Sequence, residues 1–84
     1  MTEIESTLKM KLLEDPTATV RAIIRTDGDP KARVGALQKK GFRIVHTSAL
    51  INAITVEGTA QAVLGLQAEP WALKIEEDKV VHTM

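Results

Sequence analysis

Twice in this chain a β-rich run passes into a helix through residues whose chemistry is that of a helix start. The first is Asp27-Gly28-Asp29-Pro30. Asp-Gly favours a turn, Asp29 can accept the free amide hydrogens of a first helical turn, and proline is preset for the first helical position. The second is Gly58-Thr59, where glycine interrupts a strand and threonine supplies the cap. These sites predict helices over about 30–40, closed by Gly41 with Lys39 and Lys40 at its negative end, and over about 59–68, stopped by Pro70.

The runs around them carry period-two alternation and predict strands over 17–26, 42–47, 50–57 and from Trp71 onward. Val20, Ala22 and Ile24 are expected to point inward, with Arg21, Ile23 and Arg25 outward. Ile54 and Val56 are expected inside, Ala53 and Thr55 outside, with Ser48 and Ala49 as the turn before them. On the last strand Leu73 and Ile75 are expected inside, and Ala72, Lys74 and Glu76 outside. Val34, Leu37, Val63, Leu64 and Leu66 are the buried side of the helices.

Strand, helix, strand, strand, helix, strand is the order of two split crossover units. It predicts an α+β fold of the ferredoxin-like βαββαβ kind, a four-stranded antiparallel sheet carrying both helices on one face. The other face would present Ala53, Thr55 and Ala72, small side chains on which another protein's helices could lie closely. Residues 2–15 predict a further short helix: Thr2 and Glu5 form a capping-box pattern, Ile4, Leu8 and Leu12 recur every fourth residue, and Pro16 ends it. The chain therefore divides into a leader at 1–16, expected to lie loosely along a domain edge rather than to act as a docking arm, a domain at 17–80 and a short tail at 81–84.

Composition narrows what such a domain can do. A chain of 84 residues buries only roughly 60% of its unfolded surface, so its core is modest. It has no cysteine, so neither disulfides nor thiolate chemistry is available. The formal net charge is zero and no basic block stands out, which argues against a nucleic-acid partner held by phosphate contacts. The start, M-T-E-I-E, has no long apolar run, so neither a signal peptide nor a membrane span is expected. A cytoplasmic protein, monomeric when free, is expected, or a secreted one if the chain is excised from a precursor.

No catalytic constellation is legible. His46 and His82 lie on a strand and in the tail, no metal-ligand spacing appears, and neither Ser6 nor Ser48 sits in a nucleophile elbow. The glycines are scattered, so no phosphate loop is formed. The aromatics are only Phe42 and Trp71, too few for base stacking on a sheet. A binding role without cofactor or metal is expected, and not an enzyme. The acidic cluster Glu76-Glu77-Asp78 at the end of the last strand has one physical use beyond solvation. Carboxylates there can meet the unpaired amides and positive dipole end of a partner's helices. After it the β-branched segment from Val80 is suited to lying extended along another protein's strand edge or cleft.

The closing I-E-E-D-K-V-V-H-T-M (75–84) and the L-I-N-A-I-T-V stretch (50–56) resemble subtilisin propeptides and the stand-alone inhibitors related to them, and the similarity runs over about 20–84. The resemblance implies a subtilisin-like serine protease as partner. Glu76 and Asp78 match the two acidic residues that cap a pair of parallel surface helices on the protease, against which the sheet face also lies. The tail would enter the substrate cleft as an extended strand. Met84 would occupy the primary specificity pocket, Thr83 and His82 would precede it, and Val81 would fill the hydrophobic pocket four residues upstream of the cleavage point. Val81 is smaller than the side chain many subtilisins prefer there. Such a domain acts as a product-like inhibitor and, as an excised propeptide, as an intramolecular chaperone. The competing expectation from another class is a ligand-sensing ferredoxin-like domain that dimerises and for which the tail is dispensable.

Overall fold

The computed structural model describes residues 2–78. In chain order it holds β1 (Glu3–Ile4), α1 (Ser6–Glu14), β2 (Thr19–Thr26), α2 (Val34–Lys39), β3 (Arg43–Ser48), β4 (Ala53–Thr59), α3 (Ala60–Gly65) and β5 (Ala72–Glu77). Single 3-10 turns, Pro30–Arg33 and Leu66–Ala68, lead into α2 and out of α3. The chain is an α+β protein. Its strands lie in the order β1-β5-β2-β4-β3, with β2 to β5 antiparallel to their neighbours and β1 parallel to β5 at the edge. The sheet is thus five-stranded and mixed, and three helices accompany it. That differs from the clean four-stranded antiparallel sheet with two helices that the strand order suggested.

The leader is the cause of the difference. Glu3 and Ile4 pair with Lys74 and Ile75, so the chain begins as an edge strand and turns into α1 only at Ser6. The Thr2–Glu5 capping box does not form. The Thr2 hydroxyl instead donates to the Ala72 carbonyl at 2.7 Å in a buried bond, with the Glu69 carbonyl at 3.2 Å. The Glu5 amide donates to the Ile75 carbonyl. Leu8 and Leu12 are fully buried in the same cluster as the sheet residues. The leader is therefore packed, not loosely attached: each buried leucine contributes about 1.5–3 kcal/mol of apolar burial, and β1 fills part of the hydrogen-bonding edge that β5 would otherwise expose.

The other local signals act as their chemistry suggests. Asp29 accepts from the Lys31 amide at 3.0 Å, and the Thr59 hydroxyl accepts from the Ala62 amide at 3.2 Å, each quenching a helix-end donor. Gly41 closes α2 at φ +93°, a conformation that costs glycine no steric strain. Ala22, Ile24, Ile54, Val56 and Ile75 lie on one side of the sheet beneath Leu8, Leu12, Leu37, Val63 and Leu66, and Phe42 and Trp71 close the core. Gly58 also faces the core, and a Cβ there would come within 2.6 Å of the Phe42 ring, so the ring occupies space that only glycine leaves.

Two expectations, the alternation along β5 and the start of β4, fail through irregular backbone, which also interrupts β3. Between Arg25 and Thr26 the β2–β5 register shifts, and the bulge leaves Leu73 as the extra residue. The alternation along β5 is thereby reset at its start. Ala72, paired with Thr26, is 1% exposed, while Leu73, expected inside, is 49% exposed. A second bulge between Ile44 and His46 leaves Val45 unpaired in β3 and exposed. Finally, β4 starts at Ala53 and not at Leu50. Asn52 takes φ +47°, so 49–52 form the hairpin turn, and Leu50 is 98% exposed.

Candidate docking face

The sheet face away from the helices is made of cross-strand rows, because register partners in antiparallel strands share a side. One row joins Arg43, Glu57 and Arg21 across β3, β4 and β2. Glu57 holds both arginines, at 3.3 Å from Arg43 and 3.4 Å from Arg21. The next joins His46, Thr55, Ile23 and Glu76. The third joins Ser48, Ala53, Arg25 and Lys74, with Glu3 beyond on β1. Lys74 also reaches along its own strand to Glu76, at 3.5 Å. The two bulges leave Val45 on β3 and Leu73 on β5 exposed. The face thus combines half-buried or exposed Ile23, Thr55, Val45 and Leu73 with flanking ion pairs.

The acidic cluster is divided by the strand. Glu77, in register with Ala22, turns to the helix-covered side, where Lys11 Nζ donates to it at 2.8 Å. Glu76, in register with Ile23, belongs to the open face. Asp78 follows two residues later, and its amide still donates to the Arg21 carbonyl, so it shares Glu76's side at the point where β5 ends. Of three consecutive carboxylates, the two for which a capping role was expected, Glu76 and Asp78, are those on the open side.

The expected small-residue contacts fare unevenly. Thr55 stands on the open face, half-buried. Ala53 belongs to that face by register but is only 4% exposed between its partners Arg25 and Ser48. Ala72 is on the other side, buried under the helices, and cannot meet a partner. The tail residues Val81, His82, Thr83 and Met84 lie outside the described residues. Missing from the sequence reading of the face were Val45 and Leu73, because a bulge is set by the partner strand, and the central Ile23 and Arg25, which were assigned outward but given no role.

Away from this face, Trp71 sits 7% exposed with Arg33 stacked 5.5 Å from its ring centre. Its indole nitrogen donates to Glu69 at 3.1 Å, and Lys40 meets the same carboxylate at 2.9 Å. The Lys40 hydrogen bond holds the Glu69 carboxyl below the usual carboxylate range against the opposing effect of desolvation, with Lys40's charge, the Trp71 hydrogen bond and Arg33 adding to the lowering. This cluster ties the Glu69–Trp71 corner to α2 and carries no reactive group. Among the described residues no pocket opens and no three His, Asp or Glu side chains gather as a metal-holding group. No helix among them is long and apolar enough to cross a membrane.

No protein-family model matches this chain, and no curated protein matches it.

Proposed function

We propose that this chain is a protein inhibitor of subtilisin-like serine proteases. In this reading β2 to β5 with α2 and α3 are a ferredoxin-like sandwich to which β1 and α1 are added. The open sheet face lies on two parallel helices of the protease. Glu76 and Asp78 cap the N-termini of those helices, and residues 79–84 continue from β5 into the substrate cleft, where they act as a bound product. The chain contributes binding and no catalysis of its own.

The observation that carries the proposal is the division of the acidic cluster. Strand alternation puts Glu77 on the far side, where Lys11 meets it, and puts Glu76, 3.5 Å from Lys74, with Asp78 on the open side, at the exit of the strand that leads to the tail. Val45 and Leu73, exposed at the two bulges, add apolar surface that a partner could cover.

The test is a titration of a purified subtilisin with the full-length chain against a chromogenic peptide. Stoichiometric inhibition competitive with the peptide is the expected result. Undiminished protease activity with the folded chain in large excess would contradict it.

A further inference from the structure

On the middle strand, β2, in the last of the three rows of the open face, stands a cation with no counterion among the described residues. Arg21 and Arg43 share Glu57, and Lys74 is joined to Glu76. Arg25 makes no ion pair among the described residues, and its Nε–H is buried with no hydrogen-bond partner, the one such buried side-chain nitrogen or oxygen among them. Its cross-strand neighbours are Lys74, which is also cationic, and Ala53, which offers no acceptor. Like charges directly opposite one another on a sheet are destabilising, and an occluded unpaired donor costs more than a solvated one. Two unfavourable features thus coincide at one residue of the face for which a partner is argued.

We propose that Arg25 is the anchor for a carboxylate side chain on the partner protease, a contact that rests on the docking reading above. A guanidinium presents its Nε–H and one Nη–H as a planar fork that fits both oxygens of a carboxylate. Side-on approach of an acidic side chain, with the guanidinium rotating to meet it, satisfies the orphaned Nε–H. It also offsets the repulsion from Lys74. The register fixes where that acid must lie. Arg25 and Lys74 form the row two residues from Ile23 and Glu76, so the carboxylate sits about 7 Å along the sheet from the end where Glu76 caps a helix. The partner's docking surface is therefore of mixed sign, with two positive helix N-termini followed by a negative side chain. A protease lacking that acid would be a poorer target, which makes Arg25 a determinant of selectivity.

The experiment measures inhibition of a purified subtilisin by the wild-type chain, by R25M and by K9M, with thermal unfolding of each. Methionine keeps the apolar stem and removes the fork. R25M is expected to inhibit roughly tenfold or more weakly than wild type, with the gap narrowing as salt is raised. Its midpoint of unfolding is expected to be equal to or above that of wild type, because the clash with Lys74 is gone. K9M, which removes an exposed cation of α1 away from the open face, is expected to stay within about threefold. Inhibition by R25M equal to wild type would overturn the anchor while leaving the docking reading intact. A marked fall in the R25M midpoint would overturn it too, by assigning Arg25 to the fold. If the wild-type chain itself does not inhibit, both readings fall.

Discussion

Lys11 of α1 donates to Glu77 at the end of β5 across 2.8 Å, on the helix-covered side of the sheet where strand alternation places that carboxylate. The pair joins the leader to the strand that precedes residues 79–84. The same alternation leaves Glu76 and Asp78 on the open face.

That separation predicts unequal effects. Replacing Glu76 and Asp78 together by alanine removes two caps worth roughly 0.5–2 kcal/mol each and should weaken protease inhibition accordingly, with little change in stability. Glu77→Ala loses only a surface pair worth at most about 1 kcal/mol and should leave inhibition nearly unchanged. Inhibition constants for the double variant and for Glu77→Ala check this, and equal losses in both would remove the capping role.

The leader should matter for persistence. Leu12→Ala leaves a cavity where the side chain is fully buried and is expected to lower stability by about 2–5 kcal/mol in a urea titration. Under the proposed function, a domain that opens more often exposes its backbone to the protease. The variant should therefore still inhibit at early times but be cut faster, which mass spectrometry of the mixture would show. An unaltered urea midpoint would mean that α1 is not part of the core.

The Glu69 cluster gives stability a pH dependence of known sign. A carboxyl held below its ordinary range in the folded state binds its proton less readily there than in the unfolded chain. Its stabilisation is therefore complete above the ordinary carboxylate range and is lost as pH falls through the folded value. Lys40→Met removes the main cause. The difference in urea midpoint between wild type and this variant should be present at about pH 6 and shrink toward about pH 3. A difference that did not change over that interval would show that the Lys40 contact does not act through Glu69.

What the sequence disclosed, and what it hid, follows from how local the physics is. The caps at Asp29 and Thr59 and the inward sets Ala22 with Ile24 and Ile54 with Val56 depend on neighbours in the chain, and they are placed as the sequence suggests. The bulges at Leu73 and Val45 depend on how partner strands align, and alternation alone cannot reveal a reset of its own phase. Leu50 and Ile51 have the β propensity of a strand yet sit in a turn. The signal present was Asn52, a residue type that tolerates positive φ. The four-residue spacing of Leu8 and Leu12 marked a helix, but only the tertiary structure shows what it covers. For the docking face, Glu76, Asp78 and Thr55 were legible. Ala72 was misplaced by the same bulge that exposed Leu73.

The most direct test of the proposed inhibitor is to compare the intact chain with one ending at Val80 against a purified subtilisin. The reading predicts potent inhibition by the intact chain and a loss of orders of magnitude on removing Val81, His82, Thr83 and Met84, with both chains equally folded by circular dichroism. Equal inhibition by the two, or none by either, would contradict a tail held in the substrate cleft.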